Sequence, residues 1–375
     1  MEFRIARGDL ADAVAWAARA LPARTPVPVL GGLLLTAETG RLAVSGFDFE
    51  TAARVGTEAE VAAPGRVLVL GRRLLDICRV LPEGPVSCAL EGTRFTVEAG
   101  GTRFGLSTLP YEEYPALPAA PEVYGEVDAG VFATAVGQVA VAAGRDDTLP
   151  VLTGVQLRLE GEEMTLSASD RYRYAVRRVE WKPGAGTGGE GVEVLVPARR
   201  LMEVGRSLSR CGSVRIGLDP ADGAGGVVGF EGGGTRTLLR RLEGRLPGYG
   251  SLFALPGAAV AEVDRGELAE AVRRVAVVAE ADSPVRLELS APDGSLLVRA
   301  GYGDDVAAQR VPVALHGAET VAVAFNPAYL LDALNSFEGP GLRMELLGSG
   351  QRVLLGDGVR PEAHRHLLMS VRQLV

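Results

Sequence analysis

One stretch of this chain is written more than once, and that self-similarity limits the fold before any motif does, because every copy must build the same supersecondary unit. PVLGGLLLTAETGRLAVSGFD, starting at Pro28, returns as PVLTGVQLRLEGEEMTLSASD, starting at Pro150, with Pro28 and Pro150, Gly32 and Gly154, and Asp48 and Asp170 in step. A weaker third copy, PVRLELSAPDGSLLVRAGYGD, starts at Pro284. Each alternates apolar and polar residues across a glycine-containing turn, the pattern of a hairpin of half-buried strands.

Two helices accompany each hairpin. GDLADAVAWAARAL (8 to 21), GVFATAVGQVAVAA (130 to 143) and GELAEAVRRVAVVA (266 to 279) precede it, with Asp9 and Asp128 as expected caps. After it an apolar strand enters a second helix: VLVLGRRLLDICRVL (67 to 81), VLVPARRLMEVGRSL (194 to 208) and VAVAFNPAYLLDALNSF (321 to 337). Leu74, Leu201 and Leu330 are equivalent, and Leu74, Ile77, Cys78 and Leu81 have the spacing of one buried helical face. The expectation is an α+β protein of three tandem units, each with two helices packed on mostly antiparallel sheets. A length of 375 residues suits two or three domains at about 150 residues each. Proline-rich connectors near 117 to 123 and 253 to 260 put the bounds at 1–121, 122–254 and 255–375. The glycine-rich stretches 183 to 191 and 220 to 226 read as hairpin loops.

Motifs for chemistry fail on context. Gly184, Gly186 and Gly189 satisfy GxGxxG, but a strand-like VEVLVP follows where a dinucleotide site needs a helix. The single lysine, Lys182, is followed by Pro183, so there is no Walker-type phosphate loop. His364 and His366 form an HxH expected on a solvated strand face, with no metal. Cys78, Cys88 and Cys211 lack paired spacing and read as small reduced hydrophobes of a reducing compartment. Carboxylate pairs such as Asp146 and Asp147 form no convergent acid and base, so no catalytic site and no cofactor are expected. No run approaches the roughly 18 apolar residues of a membrane span, and no signal layout opens the chain, so the expectation is a cytoplasmic protein without membrane contact.

A net charge of −8 counts against nucleic-acid binding unless the cations are gathered. They are: Arg7, Arg19, Arg79, Arg206, Arg210, Arg273 and Arg274 join Arg24, Arg72, Arg73, Arg145, Arg199 and Arg200 in or beside the helices. If six helices about 10 Å wide lined a ring side by side, the lumen radius would be roughly 5 Å; twelve would leave about 14 Å, against a duplex radius of about 10 Å. One chain cannot surround a duplex, but two can.

The chain resembles the bacterial beta sliding clamp of DNA polymerase III essentially end to end. The resemblance is carried by PVLGGLLL (28 to 35), LLDICRVLPEG (74 to 84), RFGLSTLPYEEYPAL (103 to 117), SDRYRYAV (169 to 176) and LLMSVRQL (367 to 374). It implies the DNA-clamp fold in three copies, a six-domain ring formed by a head-to-tail homodimer, and a processivity factor that encircles duplex DNA without reading sequence. It implies edge-strand joining with Phe104 and Leu106 against Val277 and Val278. It also implies a pocket between the second and third copies for short linear peptides of the polymerase, the clamp loader and repair proteins: Leu152, Ser169, Arg171, Tyr172, Arg173, Tyr174, Pro247, Leu252, Met369, Ser370, Val371 and Arg372. Arg24 matches a DNA-contacting position and Arg145 lies near another. Two departures stand out, Ser370 where the family commonly has proline and Tyr174 where a smaller apolar residue is usual. They leave open a specialised second clamp with altered partner or inhibitor binding. Readings of another class are a catalytic repeat protein and an interaction scaffold without a DNA role.

Overall fold

The computed structural model describes residues 1–25, 27–184, 191–218, 225–280, 283–302 and 304–372, leaving Gly186, Gly189 and the stretch 220 to 224 outside the described residues. Two compact units divide the chain, Met1–Ala129 with Gly184–Thr187 and Arg210–Arg241, and Gly130–Pro183 with Gly188–Ser209 and Leu242–Val375. The second copy is thus shared. Its opening helix and hairpin belong to one unit and its closing strands to the other.

All six expected helices form: Arg7–Ala17, Gly71–Val80, Ala129–Ala140, Ala198–Leu208, Arg265–Val275 and Pro327–Ser336, with a short seventh, Gly250–Phe253, among the described residues. Leu74, Leu201 and Leu330 are fully buried. Asp9 is no cap: the N-cap is Ala6, and Asp9 sits in the first turn, where its charge meets the positive end of the helix dipole. Asp128 directly precedes the helix at Ala129. The third copy has caps that the sequence reading missed. Asp264 accepts from the Glu267 amide at 2.8 Å, and Asn326 accepts from Ala328 and Tyr329.

In the first unit, a seam joins the first copy's strand Thr51–Glu58 to the second copy's strand Thr235–Arg240, antiparallel, with Leu239 opposite Thr51 and Arg236 opposite Arg54. The second unit repeats the device. Arg173–Glu180 pairs with His364–Met369, putting Leu368 opposite Arg173 and Leu367 opposite Tyr174, inside a 12-stranded sheet. Helices pack on one face of each sheet, and the hairpins turn at left-handed glycines, Gly40 (φ 74°), Gly161 (φ 55°) and Gly294 (φ 56°), where a side chain would strain the backbone.

Strand pairing corrects the register of the third copy. Gly32 faces Leu70 and Gly154 faces Pro197, each partner being the N-cap of the following helix, whereas Val285 faces Phe325, one before the N-cap Asn326. Pro284 therefore corresponds to Gly32 and Gly154, not to Pro28, and the third hairpin has a longer turn, between Ser290 and Ser295.

His364 and His366 are not on a solvated face. Their strand is flanked on both sides, by Arg173–Glu180 and Arg352–Asp357, and their side of it packs on helix Pro327–Ser336, leaving them 2% and 0% exposed. Burial lowers His364 to about 4 and His366 well below the ordinary imidazole range. Cys78 and Cys88 are buried and all three cysteines are free; burial pushes the Cys78 thiol up to about 11. No described helix is long and apolar enough to cross a membrane, and among the described residues no group of His, Cys, Asp and Glu could hold a metal ion.

Candidate functional site

At the seam of the second unit, side-chain alternation sends Tyr174 and Val176 to the sheet face away from the helices. There they meet Leu367 and Leu354 from the third copy and Leu246, Phe253 and Leu255 from the connector. Tyr174 donates its hydroxyl to the Pro247 carbonyl at 2.9 Å and sets its ring edge-on to Phe253, while Tyr249 packs 6.0 Å away. Burial pushes its phenol up to about 12, despite a hydrogen bond with Ser167. Leu152 and Leu252 are half-buried against the same cluster. The connector is pinned from outside: Arg352 donates to the carbonyls of Ser251 (3.0 Å) and Leu252 (2.8 Å), and the Leu246 amide donates to Gln156 Oε1 at 2.8 Å.

One wall is the turn that carries Ser169, Arg171 and Tyr172. Asp170 Oδ1 accepts the amides of Tyr172 and Arg173, Ser169 Oγ donates to the Arg173 carbonyl, and Arg171 is held at φ 81°. A non-glycine residue at such φ is costly and needs this kind of local anchoring. The first copy repeats the arrangement, with Phe49 at φ 69° and Asp48 Oδ1 accepting from Glu50 and Thr51. The chain end lies directly beside that turn. The Met369 amide donates to the Tyr172 carbonyl at 2.8 Å and that of Val371 to Ala324, and Met369, Val371, Arg372 and Tyr172 are exposed. Ser370 is buried. Its amide donates to the Gln351 carbonyl and its hydroxyl accepts the Gln351 amide, both at 3.0 Å. The result is an apolar floor with exposed aromatic and thioether rims, which suits an extended peptide with an apolar anchor.

Arg173 turns the other way. It is 5% exposed, bridges Asp170 (2.8 Å) and Asp332 (2.7 Å), and lies over the Tyr329 ring, so it braces the seam from the helix side.

The helix-side cations are exposed in both units, apart from Arg200, which is half-buried. In the first, Arg24 and Arg73 are exposed, and Arg72 donates to the Pro22 and Ala23 carbonyls, holding the segment that carries Arg24 against the helix start. In the second, Arg145 is exposed, Arg199 is 90% exposed, and Arg200 lies 3.3 Å from Glu203. Of the apolar four expected at an interface, Val277 is 82% exposed and Phe104 half-buried; Leu106, at 4%, belongs to its own core, and Val278 leans on the third-copy core. Phe104 lies on the strand Thr102–Leu109, which pairs with Arg94–Ala99 but meets Gly65–Leu70 only at its end, so among the described residues its outer edge is open from Thr102 to Ser107.

Models of the DNA polymerase III beta subunit match the chain three times: the N-terminal domain over residues 1–118, the central domain over 126–248 and the C-terminal domain over 252–372. The beta sliding clamp of Streptomyces coelicolor is 48% identical over 99% of both chains. The chain belongs to the beta sliding clamp family. Another relative in the family, the beta sliding clamp homolog GriR of Streptomyces muensis, is 40% identical over 99% of both chains. The solved beta subunit from Pseudomonas aeruginosa superposes with a TM-score of 0.90 at 26% identity, covering both chains fully. A griselimycin-bound clamp from the same organism gives 0.91 at 25%, again over both full chains.

The apolar cluster also contains residues that sequence reasoning did not single out: Val176, Leu246, Tyr249, Phe253, Leu354 and Leu367. The period-two alternation through Tyr174 and Val176 could have supplied the first. The connector residues carry no signal beyond the similarity of LPGYGSL to LPYEEYP.

Proposed function

We propose that two copies of this chain close head to tail into a ring that encircles duplex DNA without sequence preference and tethers the replicative polymerase, the clamp loader and repair proteins by their short peptides. The three domains are 1–121, 122–254 and 255–375, and the work is non-catalytic, carried out in the cytoplasm on the nucleoid. Peptides enter the Tyr174 pocket through Leu152, Tyr172, Pro247, Leu252, Met369 and Val371, with Ser169, Arg171, Ser370 and Arg372 shaping its walls. Arg24, Arg72, Arg73, Arg145, Arg199 and Arg200 face phosphates, loosely enough for sliding.

The observation that carries this reading is the twice-used seam. Each joins the last hairpin strand of one copy to the last strand of the next, and one strand of each kind is left over: Asp305–His316, open over the part that pairs with Ser295–Tyr302, and Thr102–Leu109. Exposed edges of this kind associate. Strand pairing makes Ala52, Tyr174 and Val306 equivalent, and likewise Leu238, Leu367 and Gly105. Gly105 then faces Val306 of the partner subunit, Arg103 faces Ala308 of the partner subunit, and Phe104 falls on the helix side, where Val277 and Val278 lie.

The test is topological. Loaded on a nicked circle, the protein stays bound in high salt and is lost when the circle is linearised; retention on linear DNA would overturn the reading. Tyr174 filling the pocket floor favours a second reading, a specialised clamp with altered partner or inhibitor affinity. Tyr174→Leu and Ser370→Pro variants that bind clamp peptides as the parent does would sink it.

A further inference from the structure

The first seam has a sheet face of its own turned away from the helices, and that face carries cavities beside its apolar cluster. At the second seam Tyr174 fills this position; at the first the equivalent residue is Ala52, in a cluster with Val29, Leu68, Tyr114 and Leu238. Beside this cluster, which shares Tyr114 with one of them, lie two adjoining cavities of about 550 and 360 Å³, with Thr36, Glu38 and Arg54 lining both.

Their chemistry differs. The smaller is walled by Leu34, Tyr114 and Leu117, with Tyr111, 44% exposed, at its edge. The larger carries Arg41, Arg54, Arg215 and Arg236 against Glu38 and Glu231, a surplus of cations in a chain of net charge −8. Arg215 and Arg236 share Glu231, but Arg54, directly opposite Arg236 in the ladder, has no ion pair or hydrogen bond among the described residues. Like charges facing each other across a ladder are unfavourable unless an anion lies between them. These arginines stand on strands, on the face opposite the helices, so the proposed phosphate-facing set does not account for them.

We propose that this first seam is a second docking site, for an extended acidic peptide whose apolar residue enters the Leu34, Tyr114 and Leu117 cavity and whose carboxylates lie along Arg41, Arg54 and Arg236. The apolar cavity, rimmed by Glu38 and Glu112, suits a peptide better than a polyphosphate backbone. Burial of an apolar side chain in a cavity and bidentate arginine pairing with carboxylates are the recognition forces expected.

The probe is a fluorescein-labelled peptide with aspartates and glutamates ahead of a Leu-Phe pair, titrated by anisotropy against the full-length protein. Arg54→Glu and Arg236→Glu should each weaken binding by about tenfold, and Arg54→Gln less, with affinity falling as salt rises. Unchanged binding in Arg54→Glu overturns the proposal, as does loss of binding in a Tyr172→Ala/Met369→Ala variant of the other pocket. Displacement of the probe by oligodeoxythymidine as readily as by unlabelled peptide would equally overturn it, marking a generic cationic surface.

Discussion

Replacing Arg173 with Ala should loosen the second seam more than any other single change to that strand. The guanidinium makes two charge-assisted hydrogen bonds, to Asp170 at 2.8 Å and Asp332 at 2.7 Å, and covers the Tyr329 ring at 4.3 Å. The two carboxylates are not equal: Asp170 is 10% exposed and Asp332 41%. Without Arg173, Asp332 is taken up by water, whereas Asp170 keeps its two backbone donors on Oδ1 but has a buried, uncompensated Oδ2. Breaking a buried pair on one side costs about 3–5 kcal/mol, while a half-exposed contact contributes about 1 kcal/mol or less. Arg173→Ala should therefore lower the local opening free energy by about 3–5 kcal/mol, Asp332→Ala by about 1, and Arg173→Lys by roughly half the alanine value, since one ammonium cannot bridge both. Amide hydrogen exchange along residues 173–177 and 364–368 reports that opening directly. A loss below about 1 kcal/mol in Arg173→Ala, or a larger loss in Asp332→Ala, would refute the assignment of the stabilisation to buried Asp170.

Tyr174→Phe should lower stability by about 1 kcal/mol, the hydrogen bond to Pro247; because the phenol is pushed up to about 12, the melting difference should be the same at neutral and mildly alkaline pH. Ser370→Pro removes both the amide donor to Gln351 and the hydroxyl that accepts from it, so calorimetry should find a loss of about 2 kcal/mol. The Arg103→Cys/Ala308→Cys variant should form a covalent dimer on mild oxidation, since cross-strand partners about 4.5–5.5 Å apart lie within disulfide range, whereas Arg103→Cys/Gln309→Cys, on opposite faces, should not; equal cross-linking would refute the register. His364 is held near 4 against 6.5 unfolded, so between those values the unfolded chain binds the proton and the folded chain does not, and stability falls as pH drops through that window. The slope is about 1.4 kcal/mol per pH unit for each such histidine; urea titrations from pH 7 to 5 should show it, and His366→Leu should reduce it, as both His366 ring nitrogens are buried without partners among the described residues.

Much of this protein was legible in the sequence. The repeats placed all six helices to within a few residues, and the apolar spacing named Leu74 and its equivalents as core, because period and burial are local properties of helix and strand. Which face of a strand meets which partner is not local. Alternation separates Arg173 from Tyr174, but only the pairing of Arg173–Glu180 with His364–Met369, and the helix behind it, made one a buried brace and the other the centre of an apolar cluster on the opposite face. The same pairing turned an HxH that read as solvated into a core pair, and the pairing of Val285 with Phe325 moved the third copy's register, so that Pro284 matches Gly32 and not Pro28. The sequence alone determined that three similar units exist and that one chain is too few to surround a duplex. The tertiary structure decided where their edges are open and which arginines gather beside the cavities of the first seam, because those depend on contacts between residues far apart in the chain.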